Sequence, residues 1–334
     1  MIRIFSGALG LACLFGMLSA ATPASAEAVR WRASGSFPAS HSSAVAMEVF
    51  KSEVARLSDN TITIDVFPDN MLGGAFEQVD QVRTGQIEMA WAGLSFYDKL
   101  VPEFSAAVRP FAAVSTSEAI CQIESPFGDI LRAKASEKGV VVAGFGMIGA
   151  RHVTNSVRPI KTLEDIRGLK IRIPPADAWT LLFSALGANP TPLDIKELYQ
   201  ALQQRVVDGQ ENPYDNIHIR KFQEVQKYLS NTAHFYDLVG YFINKDAYER
   251  LDEKQKKAVA DAMFNAIAVQ RALSDRDNSK ARQALIDAGM QYDELPASEL
   301  ARFREAARPF YEGLRATVGN EVMDLADKAA ESCK

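Results

Sequence analysis

The 334-residue chain is poor in cysteine, with only Cys13, Cys121 and Cys333, so a disulfide-dense scaffold and a multi-thiolate zinc module are both excluded. Its four histidines, His41, His152, His218 and His234, show no i, i+4 spacing and no neighbouring cysteine pair. No metal site is expected from them. There is no G-x-S-x-G, and no serine has an evident base partner in sequence, which leaves nothing to suggest nucleophilic catalysis. Basic residues number 37 against 42 acidic ones, so the broad cationic face that nucleic acid requires is missing. Past Ala26 no apolar run reaches the ~20 residues that span a bilayer. Internal repeats, low-complexity tracts and a flexible inter-domain tether are absent as well.

The first 26 residues read as an export signal. Arg3 precedes an apolar run from Leu9 to Leu18, and "PASA" ends at Ala26 with an A-x-A-type cleavage site before Glu27. Cys13 lies inside the apolar run behind Gly10, Leu11 and Ala12, which is not a lipid-attachment arrangement. Cleavage would leave 308 residues with 36 basic and 42 acidic side chains, because Arg3 is the only charged residue removed. That length exceeds one compact core and predicts two domains. An oxidising compartment permits a bridge between Cys121 and Cys333, and equally permits two free thiols.

Strands and helices alternate through the first third. "AVRWRASG" and "TITIDVFP" read as strands around an amphipathic helix from Ser43 to Leu57. A further helix is closed by Gly85, and a buried strand runs from Ile87 to Trp91. The rhythm predicts an α/β fold with a mostly parallel sheet covered by helices. In the middle third, Thr162 with Asp165 and Asp194 with Glu197 mark helix starts, "LKIRIP" is a strand, and "GQENP" reads as a loop. From Asp252 to Ala288 there is neither glycine nor proline, which predicts one long helix or two nearly continuous ones. Such a helix would be ~50 Å long and could serve both domains. The tail from Ala297 to Cys333 reads as helical.

Gly144, Gly146 and Gly149 spell G-x-G-x-x-G, but the β-rich "ARHVTNSVRP" that follows cannot open the helix a dinucleotide site needs, so no cofactor is expected. More informative are Arg151 in "GARHVTN" and Arg172 in "LKIRIPP". Both lie in β-branched runs that aim a side chain, and both precede "VVDGQENPYDN" with Gln210, Glu211 and Asn212. A guanidinium grips both oxygens of a carboxylate through parallel N–H···O bonds. From spacing alone, a carboxylate pocket and a structural ion pair at a domain edge stand at equal weight.

The motifs around these residues narrow the choice. "FPDNMLGG" (67–74), "PEF…RPF" (102–111), "RHVTNSVRPI", "DIRGLKIRIPP", "LGANPTPLDIKELYQAL" (186–202) and "VVDGQENP" followed by "KFQEVQKYLS" together resemble the DctP family of substrate-binding proteins that serve TRAP transporters. The resemblance runs from about Val29 to about Asp252, with a weaker helical match beyond. It implies a periplasmic-binding-protein-like clamp of two α/β domains around a cleft, with a long helix spanning both. Such a clamp would be a monomer that binds a small organic acid and hands it to a permease without chemistry. By motif, Arg172 would carry the main carboxylate bridge, Arg151 would assist, and Asn212, beside Gln210, would bond the same end of the ligand. Domain I would be 27–149 plus 238–277, and domain II 150–237 plus 278–334.

Departures from the family shape the expected pocket. Arg205 stands where the family usually has glycine, and Gly93 stands near an acid that the sialic-acid branch uses, so a sialic-acid specialist is not expected. Phe37, Trp91, Pro175, Trp179 and Tyr236, with Phe96, are candidate walls of a less polar pocket suited to an aromatic or short aliphatic acid. A binding protein for an ATP-driven transporter, a signalling sensor and a periplasmic enzyme remain as rivals, and cation participation stays open.

Overall fold

A computed structural model of the chain describes Ile2 and residues 28–334; apart from Ile2, the expected export signal lies outside the described residues. In chain order, β1 (Val29–Gly35), α1 (Ser42–Leu57), β2 (Ile62–Phe67), α2 (Ala75–Thr84) and β3 (Met89–Gly93) are followed by α3 (Thr116–Ile123) and α4 (Pro126–Glu137). Then come β4 (Val140–Asn155), β5 (Lys170–Ile173), α5 (Asp177–Ala185), β6 (Asn189–Pro192), α6 (Ile195–Gln203), β7 (Gly209–Pro213), α7 (Tyr214–Ile219) and β8 (Tyr228–Asn231). β9 (Tyr236–Asn244), α8 (Lys245–Glu249), α9 (Glu253–Asp287), β10 (Gln291–Glu294), α10 (Ala297–Ala306), α11 (Arg308–Val318) and α12 (Asn320–Ser332) complete it.

The strands hydrogen-bond in the order β2-β1-β3-β9-β4-β7-β5-β6, with β8 also on β4 and β10 on β8. β1 is parallel to β2 and β3, and β5 is parallel to β6 and β7. β9 and β4, however, run antiparallel to their neighbours, so the expected mostly parallel sheet is mixed at its centre. The cause is β4, which spans both halves of the sheet. Residues 140–150 pair with β9, and residues 151–155 pair with β7 and β8. Arg151 is the first residue past that hand-over.

α9 is one continuous helix of 35 residues, begun by a reciprocal cap between Asp252 and Gln255. Its first half buries Val259, Ala262 and Met263 with Phe50, Trp31 and Trp91 in one core. Its last turns bury Ala281 and Leu285 with Leu198, Leu202 and Leu229 in another. A single rod thus belongs to two cores. The glycine-rich run of β4 is what admits it. A Cβ at Gly144, Gly146 or Gly149 would meet Ile267, Gln270 or Asn278 of α9. In the space left, the Gln270 amide accepts from Met147 N at 2.8 Å and donates to Met147 O at 2.6 Å. That amide does the work of a missing strand neighbour where the β4–β9 register shifts.

The C-terminal helices close the molecule. α12 packs on α3 and α4, and Cys121 is disulfide-bonded to Cys333, with Cα atoms 5.7 Å apart. Nearby, buried Arg109 donates to Asp327 Oδ1 at 2.5 Å and to the Ala326 carbonyl at 2.8 Å. Residues 209–213 form strand β7 rather than the expected loop. Their polar composition gave no strand signal, yet β4 on one side and β5 on the other supply partners for the backbone. No helix among the described residues is long and apolar enough to cross a membrane.

Candidate ligand-binding cleft

Between the two halves of the sheet lies a cleft. One wall comes from the loops after β1 and β3 and the start of α2, and the other from β5, the segment before α6, β7 and α7. β4 and β9 form its floor through Ile148, Arg151 and Asp237.

Arg172 projects into this cleft from β5. It is 2% exposed, its Nε donates to the Leu193 carbonyl at 2.8 Å, and it makes no ion pair with any described residue. Burial lowers its pKa to about 9; Glu211 pulls the other way and neighbouring Arg151 adds to the fall. It is still a cation at neutral pH. A buried cation without a counter-charge is costly unless something anionic arrives.

Arg151 is the opposite case. Its Nε donates to Glu211 Oε2 at 2.5 Å, Nη2 to Glu211 Oε1 at 2.7 Å and to the Glu211 carbonyl at 2.9 Å, and Nη1 to Asp237 Oδ2 at 2.7 Å. Its guanidinium also lies 5.4 Å from the Trp179 ring centre. Of the five N–H groups of an arginine, only one on Nη1 remains uncommitted. Burial pushes the Glu211 carboxyl up, but Arg151 and the His234 ring, 3.0 Å away, hold it at about 2. Burial raises Asp237 to about 6, with Glu211 pushing the same way and Arg151 opposing. Arg151 is therefore locked by protein carboxylates, as the structural ion-pair alternative describes, while still reaching the cleft floor.

Asn212 lines the cleft with its amide oriented by neighbours. Its Nδ2 donates to Gln210 Oε1 at 2.6 Å, and its Oδ1 accepts from Arg151 at 3.3 Å. Gln210 itself is not in the wall. It is fully buried and donates to Thr154 Oγ1 at 2.9 Å; residues 210 and 212 share one face of β7, and the Asn212 amide, bonded to it, stands between Gln210 and the cleft. Phe37 and Pro175 line the cleft, as does Phe96.

Three aromatic candidates do not. Trp91 fills the space over Gly35, where a Cβ would overlap its ring, and belongs to the core under α1. Trp179 packs against Phe235 with ring centres 4.4 Å apart, behind Arg151. Tyr236 faces other cavities and donates to the Val114 carbonyl at 2.7 Å. Apolar surface nonetheless remains in the lining, from Phe37, Phe96, Pro174, Pro175, Ile148 and Ile195.

The residues not anticipated are mainly polar: Ser36, Asn70, Ser95, Asp194, Asn216 and Arg220. For two of them a signal existed. Asn216 and Arg220 stand four apart, a helical spacing that α7 and its C-cap place on one side. The serines carried none. Gly93 does line the cleft, so the position near the expected acid is held by hydrogen. Arg205 has φ of 57°, a left-handed conformation that glycine adopts without strain. No group of three or more His, Cys, Asp or Glu placed to hold a metal occurs among the described residues.

A family model described as bacterial extracellular solute-binding protein, family 7, matches residues 33–317. The chain belongs to this family, DctP. It is 32% identical over 247 residues to the 2,3-diketo-L-gulonate-binding periplasmic protein of Escherichia coli K12, covering 74% of this chain and 75% of that one. The sugar acid binding protein of Advenella mimigardefordensis, solved with galactonate, superposes with a TM-score of 0.89 at 28% identity, over 93% of this chain and all of the other. A TRAP periplasmic solute-binding protein of Desulfovibrio salexigens, solved with orotic acid, has a TM-score of 0.88 at 26% identity, covering 91% and 99% of the two chains. This DctP protein is thus a TRAP-type solute-binding clamp and not an enzyme.

Proposed function

We propose that the protein works in the periplasm as a monomer, captures a small organic acid with the carboxylate on Arg172, and delivers it to the membrane subunits of a TRAP transporter. One observation carries this reading: Arg172 is a buried cation, facing the cleft, that makes no direct ion pair with any described residue. A bidentate carboxylate supplies the missing charge and two acceptors. Asn212, held by Gln210 and Arg151, bonds the same end of the ligand, and the remaining Arg151 N–H adds to the field. The acids bound by the Escherichia coli, Advenella and Desulfovibrio relatives all present one carboxylate. Their other parts differ, as expected of a common anchor and variable walls.

Closure of two units around the acid is the proposed working motion, with units of 27–149 plus 238–277 and 150–237 plus 278–334. The hand-over of β4 at Arg151 and the sharing of α9 between two cores support those boundaries. The tail departs from that division: α12 packs on α3 and α4 and is disulfide-bonded to α3, so it would move with the first unit, while α11 touches both units. Ligand contacts to both walls would favour the closed state by their difference in affinity for the two states. A thermal-shift screen against organic acids tests the reading, since a ligand at 100 times its Kd adds about 2.7 kcal/mol. A hit whose shift survives Arg172→Ala would sink the assignment of the anchor.

A further inference from the structure

Most polar groups around the cleft are spent on the protein itself. Asn70 Oδ1 accepts from Gln78, Asp194 Oδ1 accepts from the Lys196 N–H, and both heads of the Asn212 amide are engaged. Two are not. Ser36, just past β1, and Asn216, on α7, line the cleft from opposite units and are 7% and 5% exposed. Ser36 Oγ and Asn216 Oδ1 are sealed from solvent without any hydrogen-bond partner. Other buried side-chain atoms also lack a partner, but of those residues only Ser36 and Asn216 line this cleft, where a guest can complete them.

The chemistry of the orphans defines the complement. An amide oxygen only accepts, so Asn216 Oδ1 calls for an O–H or N–H on the guest. A serine hydroxyl donates or accepts. A guest hydroxyl answers both, whereas a hydrocarbon chain or a plain aromatic ring leaves both unmet. Phe37, stacked on His41 with ring centres 4.4 Å apart, and Phe96 offer flat apolar surface for the C–H side of the same guest. We propose that Ser36 and Asn216 are specificity residues that read hydroxyl groups beyond the carboxylate, making hydroxylated acids the substrate class. The inference rests on Arg172 as the anchor. It reverses the preference for an apolar acid that the aromatic residues suggested.

Matched acids separate the two ideas. Calorimetry would compare D-erythronate with butanoate and D-galactonate with hexanoate, each pair sharing a carbon skeleton and a carboxylate. At least one hydroxylated acid should bind the full-length mature protein far more tightly than its partner. Ser36→Ala and Asn216→Ala should each weaken that acid about tenfold or more while leaving the deoxy partner within about threefold. A deoxy acid that binds as tightly as its hydroxylated partner in both pairs, or no binding in either pair, overturns the proposal. So do variants that weaken both members of a pair equally, which would signify a merely structural role. Arg172→Ala should weaken every acid. If it does not, the anchor is wrong, and the ratio within each pair still judges Ser36 and Asn216.

Discussion

Glu211 holds Arg151 through two parallel bonds, 2.5 Å from Nε to Oε2 and 2.7 Å from Nη2 to Oε1, in a place where both side chains are almost fully buried. A carboxylate grip of this shape is what a ligand would offer to a free arginine. Since the protein supplies it internally, the two cleft arginines have different duties, and mutation should separate them.

Arg151→Met should cost about 3–5 kcal/mol of folding stability, because Glu211 and Asp237 would be left as buried charges without their partner. Arg172→Met should leave stability equal or higher, since it removes an unpaired buried cation, while abolishing acid binding. Urea denaturation and calorimetry on both variants check this. Equal stability losses would contradict the division of labour.

Binding should fail at high pH. With its pKa at about 9 in the free cleft, Arg172 is fully charged below that value, and a bound carboxylate raises the pKa further. The sign follows directly: affinity is complete below pH 9 and is lost as pH rises through it, tending to tenfold per unit. Titration calorimetry between pH 7 and 10 would show it, and a flat profile would mean that the Arg172 guanidinium keeps its proton throughout.

Two cations, Lys196 at the start of α6 and Arg220 at the end of α7, reach across the mouth of the cleft. Arg220 Nη2 lies 3.1 Å from Asp69 Oδ1, and Lys196 Nζ donates to the Asn70 carbonyl at 3.0 Å. The opening proposed above would break both contacts. Because Asp69 is half exposed, its pair should contribute no more than ~1 kcal/mol. Asp69→Asn should therefore reduce affinity by less than about tenfold and shift small-angle scattering towards an open form, an effect that high salt imitates in the parent protein. Identical scattering from both proteins at low salt would deny this contact a role in closure.

Reducing the Cys121–Cys333 bridge should release α12 from α3. The two cysteines are 212 residues apart, and closing so long a loop stabilises by about 2–5 kcal/mol in the chain-entropy picture. Melting with and without reductant, and of Cys121→Ser, would measure it. No change in Tm would show that Arg109 and the α12 core contacts hold the tail unaided.

Much of this was legible along the chain. β-branched alternation marked β2, the glycine- and proline-free stretch became α9 as one helix, and Gly85 ended α2 in a left-handed conformation. The family motifs located Arg172, Arg151 and Asn212, all of which line the cleft. Those signals are local: periodicity, capping and motif spacing involve residues a few positions apart.

What the sequence could not rank was the use each side chain makes of its surroundings. Glu211 and Asp237, which occupy Arg151, are 60 and 86 residues from it, and Trp91 became core because Gly35 left room for its ring. Thus the sequence by itself determined the α/β elements, the long helix and the presence of cleft arginines. Only the tertiary structure decided which arginine is free, which aromatic rings face a ligand and which polar atoms still lack a partner. Pairing and burial depend on contacts between distant segments, and local pattern carries no record of them.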